Sequence, residues 1–272
     1  MTHHSHAVWV VTNDDDPTAD LVIEELHRRA VPVVRFDSGH FPARLSASAR
    51  IGGGDGWRGV LRTATREAAI DRVRSLYYRR PSGFAFPHLD AEDARFATTQ
   101  ARYGLGGLIV SLPECLYVNH PNRIGDAEYK PAGLAAAVRA GFELPTTLIT
   151  NEPAQAQEFA RAYGPVLYKP LYAPLYSRAK TSQAVKVAAV RPGELDDAVS
   201  GTMHLFQTII DKVADVRVTV IGGRVFSVVV KSDLLDWRTD YDALAYAVVD
   251  TPEHIRAALY AYLDHFQLVF GA

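Results

Sequence analysis

One stretch constrains the fold more than any other: Leu205 to Arg238, LFQTIIDKVADVRVTVIGGRVFSVVVKSDLLDWR. Val216, Val218 and Val220 alternate with Arg217 and Thr219, the period of a strand with one buried face. Gly222-Gly223 supplies a two-residue hairpin turn, because glycine takes positive φ without steric cost. Val225 to Val230 then returns as a mostly apolar strand, suited to a sheet covered on both faces. Asp215 and Arg217 stand two residues apart and so share one face of the first strand. On an ordinary antiparallel sheet such a pair reads as a surface salt bridge.

The 272 residues suffice for two or three subdomains with cores of their own. A hydrophobic share of 48% and a charged share of 22% are those of a globular chain. The net charge of -2 argues against a general nucleic-acid binder. With one cysteine, Cys115, no internal disulfide can form, and its apolar neighbours mark it as a core residue. No apolar run approaches the roughly 20 residues that span a membrane, and no secretory signal opens the chain. Together these features predict a cytoplasmic protein. His3, His4 and His6 sit at a frayed end and read as solvated.

Ala7 to Thr12 reads as a strand, Thr18 to Arg29 as a helix opened by Pro17, and Val31 to Asp37 as the next strand. Strand, helix, strand at this length is a βαβ unit and implies a parallel sheet. Gly52 to Gly56 leads into another strand, Trp57 to Leu61, and is therefore a hairpin loop rather than a phosphate cradle. Arg72 to Pro81 mixes arginines with Val, Leu and two tyrosines; it reads as an amphipathic edge strand or as a peptide grip. Ala91 to Val110 is helical, with an expected break near Gly104 and Gly106-Gly107. Leu116 to Asn119 is a strand and His120 to Asn122 a turn. Asp126 to Ala140 is a helix with Leu134 and Val138 on one face, stopped by Gly141. Thr146 to Thr150 is a strand and Glu152 to Tyr163 a helix stopped by Gly164. Val166 to Leu171 and Ala184 to Val190 are strands of one small sheet. A lysine inside an apolar strand, as Lys169 is, needs an anionic partner or an exit to water.

The hinge-like Phe206-Gln207-Thr208-Ile209-Ile210, followed by Asp-Val-Arg-Val-Thr-Val-Ile-Gly, resembles the ATP-grasp superfamily. More narrowly, the chain resembles the ATP-grasp ligases that macrocyclise ribosomal precursor peptides, the microviridin-type or graspetide maturases. Leu76 to Pro81, Asn122-Arg123 through Pro131, Leu144 to Asn151 and Val166 to Pro170 carry the same resemblance in the same order.

That resemblance implies an α/β ATP-grasp fold: a parallel-sheet pre-ATP-grasp domain over 1–120, a small central lobe over 121–204 and a C-terminal lobe over 205–272. It implies a nucleotide site made of Lys130 and Lys169, the hinge Gln207, Thr208, Ile209 and Ile210, then Lys212 and Asp215. Arg217 and Arg238 would face the phosphates and an acyl-phosphate intermediate. The cofactors implied are ATP and Mg2+. The expected partner is a precursor peptide, leader plus core, met by Tyr78, Arg79 and Arg80; dimerisation is a further expectation. The implied reaction activates Asp or Glu side chains of that peptide as acyl phosphates and closes ester or amide crosslinks.

Two departures stand out. The loop Leu171 to Arg178 has no glycine, where a flexible glycine-containing loop is expected. The magnesium ligands expected after the final helix, Pro252 to Phe266, would lie beyond Ala272, so the C-terminal lobe reads as truncated. Asp233, Asp236, Asp240 and Asp242 form an acidic cluster that is a poor substitute. Three alternatives stay open: an amino-acid ligase resembling the ribosomal-protein glutamate ligase, a non-catalytic nucleotide- or peptide-binding protein, and an unrelated α/β binding module.

Overall fold

A computed structural model describes residues 6–172, 175–178, 181–232, 234, 237 and 244–271. The chain divides into two units, residues 1–124 and 125–272.

In the first unit, β1 (Ala7–Val11), α1 (Pro17–Arg28) and β2 (Val33–Phe36) form the βαβ unit, with β1 and β2 parallel. β3 (Leu45–Gly52), β4 (Asp55–Thr63) and β5 (Glu67–Ala69) form a separate antiparallel sheet. Gly59 is needed there, since a Cβ would collide with the Ser48 carbonyl. β6 (Val73–Tyr78), α2 (Ala91–Val110) and β7 (Leu116–Val118) complete a parallel sheet of order β2-β1-β6-β7.

β1 shows why this sheet needs cover on both faces. Val8 and Val10 pack with Ala19 of α1 and with Val33. Trp9 and Val11 point the other way, into a larger core with Leu45, Leu61, Leu76, Leu105 and Ile109. Two expectations are corrected. β6 lies between β1 and β7 and is not an edge strand; Val73 and Leu76 are buried, and both neighbours use its backbone. α2 runs unbroken past its glycines, because Ala101, Leu105 and Ile109 bury one stripe at i, i+4 spacing.

The division between the two units falls within α3 (Pro121–Glu128), a helix that begins where the sequence suggests a turn. α4 (Lys130–Arg139) follows as a separate helix, so the single helix expected over Asp126 to Ala140 is two, broken at Tyr129. Pro131 explains the break: it has no N–H to bond back into the turn before it, so it suits a helix's first turn and not a helix interior. The buried positions of α4 are Gly133 and Ala136; Val138 is exposed, against expectation.

The second unit continues with β8 (Thr147–Thr150), α5 (Pro153–Tyr163) and β9 (Val166–Lys169). The hairpin of β10 (Leu175–Arg178) and β11 (Thr181–Ala184) follows, then β12 (Ala188–Val190) and β13 (His204–Thr208). One sheet has the order β12-β9-β13-β8. Its Val166 and Phe206 bury against Ala156 and Ala160 of α5. The other sheet contains β14 (Asp215–Ile221), β15 (Arg224–Lys231), β16 (Ala245–Val249) and β17 (Phe270–Gly271), ordered β16-β15-β14-β17. α6 (Glu253–His265) precedes β17. Ile221 pairs with Arg224 across the expected two-residue turn, where Gly222 has φ +54.

The expectation that this second sheet is covered on both faces fails: Phe226 is 51% and Val248 87% exposed. In β14 only Val220 of the valine stripe is buried; Val216 is 54% exposed. β-branched residues favour strand backbone whether or not their face is covered, so a valine run reports strand more reliably than burial.

Candidate functional site

A cavity of about 410 Å³ opens in the second unit. Lys169, Gln207, Thr208, Ile209, Ile210, Lys212, Asp215 and Arg217 line it, together with Pro145, Leu167, Val187 and Trp237. Thus most residues assigned to a nucleotide site from sequence meet on one wall.

The strand registers explain the meeting. Gln207 on β13 stands opposite Thr147 on β8 and Leu167 on β9. Lys169 pairs with Leu205, one side-chain step along the same face. The opposite face of that sheet, with Phe206, is the one buried against α5. A polar row therefore faces the cavity while an apolar row faces the core. The Lys169 Nζ donates to Gln207 Oε1 at 2.6 Å, and Gln207 Nε2 donates to Thr147 Oγ1 at 2.8 Å. Gln207, 5% exposed, satisfies its buried amide in this way.

After Thr208 the chain leaves the sheet, and Ile209 and Ile210 are exposed. Lys212 and Asp215 form a 2.6 Å ion pair at the start of β14, so the partner of Asp215 is Lys212 rather than Arg217. Arg217 lies on the exposed part of β14 and lines the cavity. Three cationic side chains on the wall, against the carboxylate of Asp215, make it a place for an anion. Leu167, the two isoleucines and Trp237 add an apolar side suited to a flat ring.

Lys130 is placed differently. It opens α4, and its ammonium donates to the carbonyls of Pro170 and Leu171 at 2.7 and 2.8 Å. Burial lowers its pKa from the usual lysine value. It holds the chain just past Lys169 and is not part of the cavity wall. Arg238 and the acidic residues Asp233, Asp236, Asp240 and Asp242 lie outside the described residues. Sequence reasoning missed Trp237 and Thr147, although the strand alternation around Thr147 was available as a signal.

Tyr78 ends β6 in the first unit, and Arg79 and Arg80 follow it. Arg79 Nε sits 2.9 Å from Asp16 Oδ2, and its Nη2 donates to Thr18 Oγ1 at 3.2 Å. Arg80 has φ +46, is exposed, and its carbonyl accepts from Asn13 Nδ2 at 2.8 Å. Burial pushes the Asp16 carboxyl up, but hydrogen bonds from Thr12, Arg79 and the Ala19 N–H more than offset it, and its pKa is lowered. Burial also pushes the Cys115 thiol up to about 11, which suits a packing residue rather than a nucleophile. Among the described residues no group of three or more His, Cys, Asp or Glu side chains is placed to hold a metal. Among them, too, no helix is long and apolar enough to cross a membrane.

Comparison with known proteins agrees with this architecture. Residues 7–124 match the MvdD pre-ATP grasp domain family. The chain is similar to a RiPP-associated ATP-grasp ligase of Chryseobacterium gregarium, solved in complex with ADP and a leader and core peptide. That match has TM-score 0.87 and 22% identity, and covers 98% of this chain and 83% of that one. It is similar also to the macrocyclase MdnC of Microcystis aeruginosa MRC, bound with precursor peptide MdnA, at TM-score 0.84, 24% identity and coverages of 97% and 85%. D-alanyl-alanine synthetase A of Vibrio cholerae O1 matches at TM-score 0.57 and 10% identity, over 99% of this chain and 84% of that one. No curated protein matches in sequence. The chain therefore has the ATP-grasp fold, and its residues 7–124 are similar to the MvdD pre-ATP grasp domain.

Proposed function

We propose that the cavity binds ATP, and that the protein is a ligase acting on a ribosomal precursor peptide. An Asp or Glu side-chain carboxylate of the peptide attacks the γ-phosphorus and ADP leaves, giving an acyl phosphate. A hydroxyl or amine of the same peptide then attacks the acyl carbon. Inorganic phosphate leaves, a proton is released, and an ester or amide crosslink closes the ring.

The observation that carries this reading is the wall shared by Lys169, Lys212, Arg217 and the 207–210 hinge. Transfer between two anions needs fixed positive charge to offset their repulsion, and these side chains supply it. The hinge backbone and Trp237 would hold the purine. The solved ligases of the same fold, described with ADP and precursor peptides, support both substrates. Tyr78, Arg79 and Arg80 are the proposed peptide contacts, with Arg80 exposed and Arg79 held by Asp16. The described residues do not fit a magnesium site: Asp215 is engaged by Lys212.

Thermal unfolding with ATP and with ADP, each with and without magnesium, tests the reading on the wild-type chain and on Lys169→Ala. Nucleotide raises the midpoint of the wild-type chain by several degrees, and the substitution removes most of that rise. An equal rise in both proteins, or none in either, rejects the cavity as the nucleotide site.

A further inference from the structure

We propose that Thr147 is a positioning residue for Lys169, acting through the side-chain amide of Gln207. The geometry stands on its own; its consequence for affinity rests on the nucleotide reading above.

Consider what each group can donate. An ammonium has donors only, so the end of the Gln207 amide that meets Lys169 Nζ at 2.6 Å must be the oxygen. The amide nitrogen is then turned toward β8, where it must find an acceptor or remain a buried, unpaired donor. Thr147 provides one: its Oγ1 lies 2.8 Å from Gln207 Nε2. A hydroxyl can also donate, and two donors facing each other would break the row. That is avoided because Thr147 spends its own hydrogen on the Pro145 carbonyl, also at 2.8 Å. Every hydrogen in the row therefore runs one way, from Lys169 to Gln207, from Gln207 to Thr147, and from Thr147 to Pro145.

The row has a fixed polarity. A glutamine amide is nearly symmetric in shape, so packing alone cannot tell its two ends apart. The ammonium of Lys169 and the hydroxyl of Thr147 make the distinction together, and Gln207 is buried, which raises the cost of the wrong end. With Thr147 replaced by valine, the amide nitrogen loses its acceptor. Left in place, that nitrogen would be a buried unpaired donor; a turn of the amide that finds it another acceptor takes the oxygen away from Lys169 and shifts the lysine on the cavity wall.

The test uses the full chain with Thr147→Val, Thr147→Ser and Thr147→Val combined with Gln207→Glu. Two quantities are read: acylation of Lys169 by acetic anhydride relative to exposed Lys186, and ADP affinity by calorimetry. Thr147→Val should raise Lys169 acylation several-fold, because losing an acceptor disfavours the ammonium form. It should weaken ADP by about tenfold, the size of one hydrogen bond to a charged group. Serine, which keeps the hydroxyl, should restore both. In the Gln207→Glu background the valine substitution should change neither, since a carboxylate offers oxygen whichever way it is turned. If wild-type binds no ADP yet the acylation pattern holds, the nucleotide reading falls and the positioning role stands. Equal acylation in Thr147→Val and wild-type overturns the proposal, as does an unchanged valine effect in the glutamate background.

Discussion

In the first unit the carboxylate of Asp16 is closed on every side: Thr12 donates to it at 2.6 Å, the Ala19 N–H at 3.2 Å and Arg79 at 2.9 Å. In the second, Lys169, Lys212 and Arg217 line an open cavity beside the carboxylate of Asp215. Both clusters sit at the ends of strands, and both mix acids with bases. One ties β1, α1 and β6 together; the other gathers three cationic side chains on a cavity wall. Charge that is spent on the fold supports stability, while charge that lines a cavity supports binding. Arginine content alone would have pointed to the first cluster as the nucleotide site, since the sequence is richest in arginine around it.

The contrast can be broken most directly at Asp16. Replacing it with alanine strands Arg79 and Thr12 and removes the N-cap of α1, and should cost about 2–4 kcal/mol in urea unfolding. A cost below roughly 0.5 kcal/mol would put Asp16 among ordinary surface acids. Lys169→Ala should behave inversely. It should weaken ADP by about 30-fold, near 2 kcal/mol, while stability in urea without nucleotide falls by only about 1 kcal/mol, the loss of one donor to the Gln207 amide.

Acid sharpens the same comparison. Because the folded pKa of Asp16 is lowered, its contribution is fully present above the ordinary carboxylate value and is lost as pH falls through the folded one. Urea unfolding should therefore lose stability below about pH 4, and Asp16→Asn should flatten that part of the curve. A curve of the same slope in both proteins would assign the acid loss elsewhere. The smallest effect belongs to Lys212 and Asp215. Their pair is about a third exposed, so a double-mutant cycle on stability should give only about 0.5 kcal/mol of coupling. A coupling above 2 kcal/mol would mean that this part of the wall is structural, like the Asp16 cluster.

Much of this molecule was legible in one dimension. Pro17 after Asp16, the valine alternation of β14, Gly222 in its turn and Gly164 after α5 each act through local backbone preference, which is written residue by residue. The wall residues Lys169, Gln207 and Asp215 were nameable because the hinge and the following strand carry a fixed spacing and a resemblance. Three errors share a cause of another kind. An edge strand is one of two readings of β6, the glycines suggest a break in α2, and the valines of β15 suggest a sheet covered on both faces. Whether a strand has a second neighbour, whether a helix stripe finds a core, and whether valines find a lid depend on elements far away in the chain. The same holds for Thr147. Its neighbours in sequence say only that it lies on a strand; its hydroxyl acquires a role when β13 pairs beside β8 and turns Gln207 toward it. Local steric and hydrogen-bond preferences are encoded where they act, so the chain by itself determined the elements and the candidate residues. Pairing, burial and the direction of a hydrogen-bond row are properties of two segments at once, and those only the tertiary structure decided.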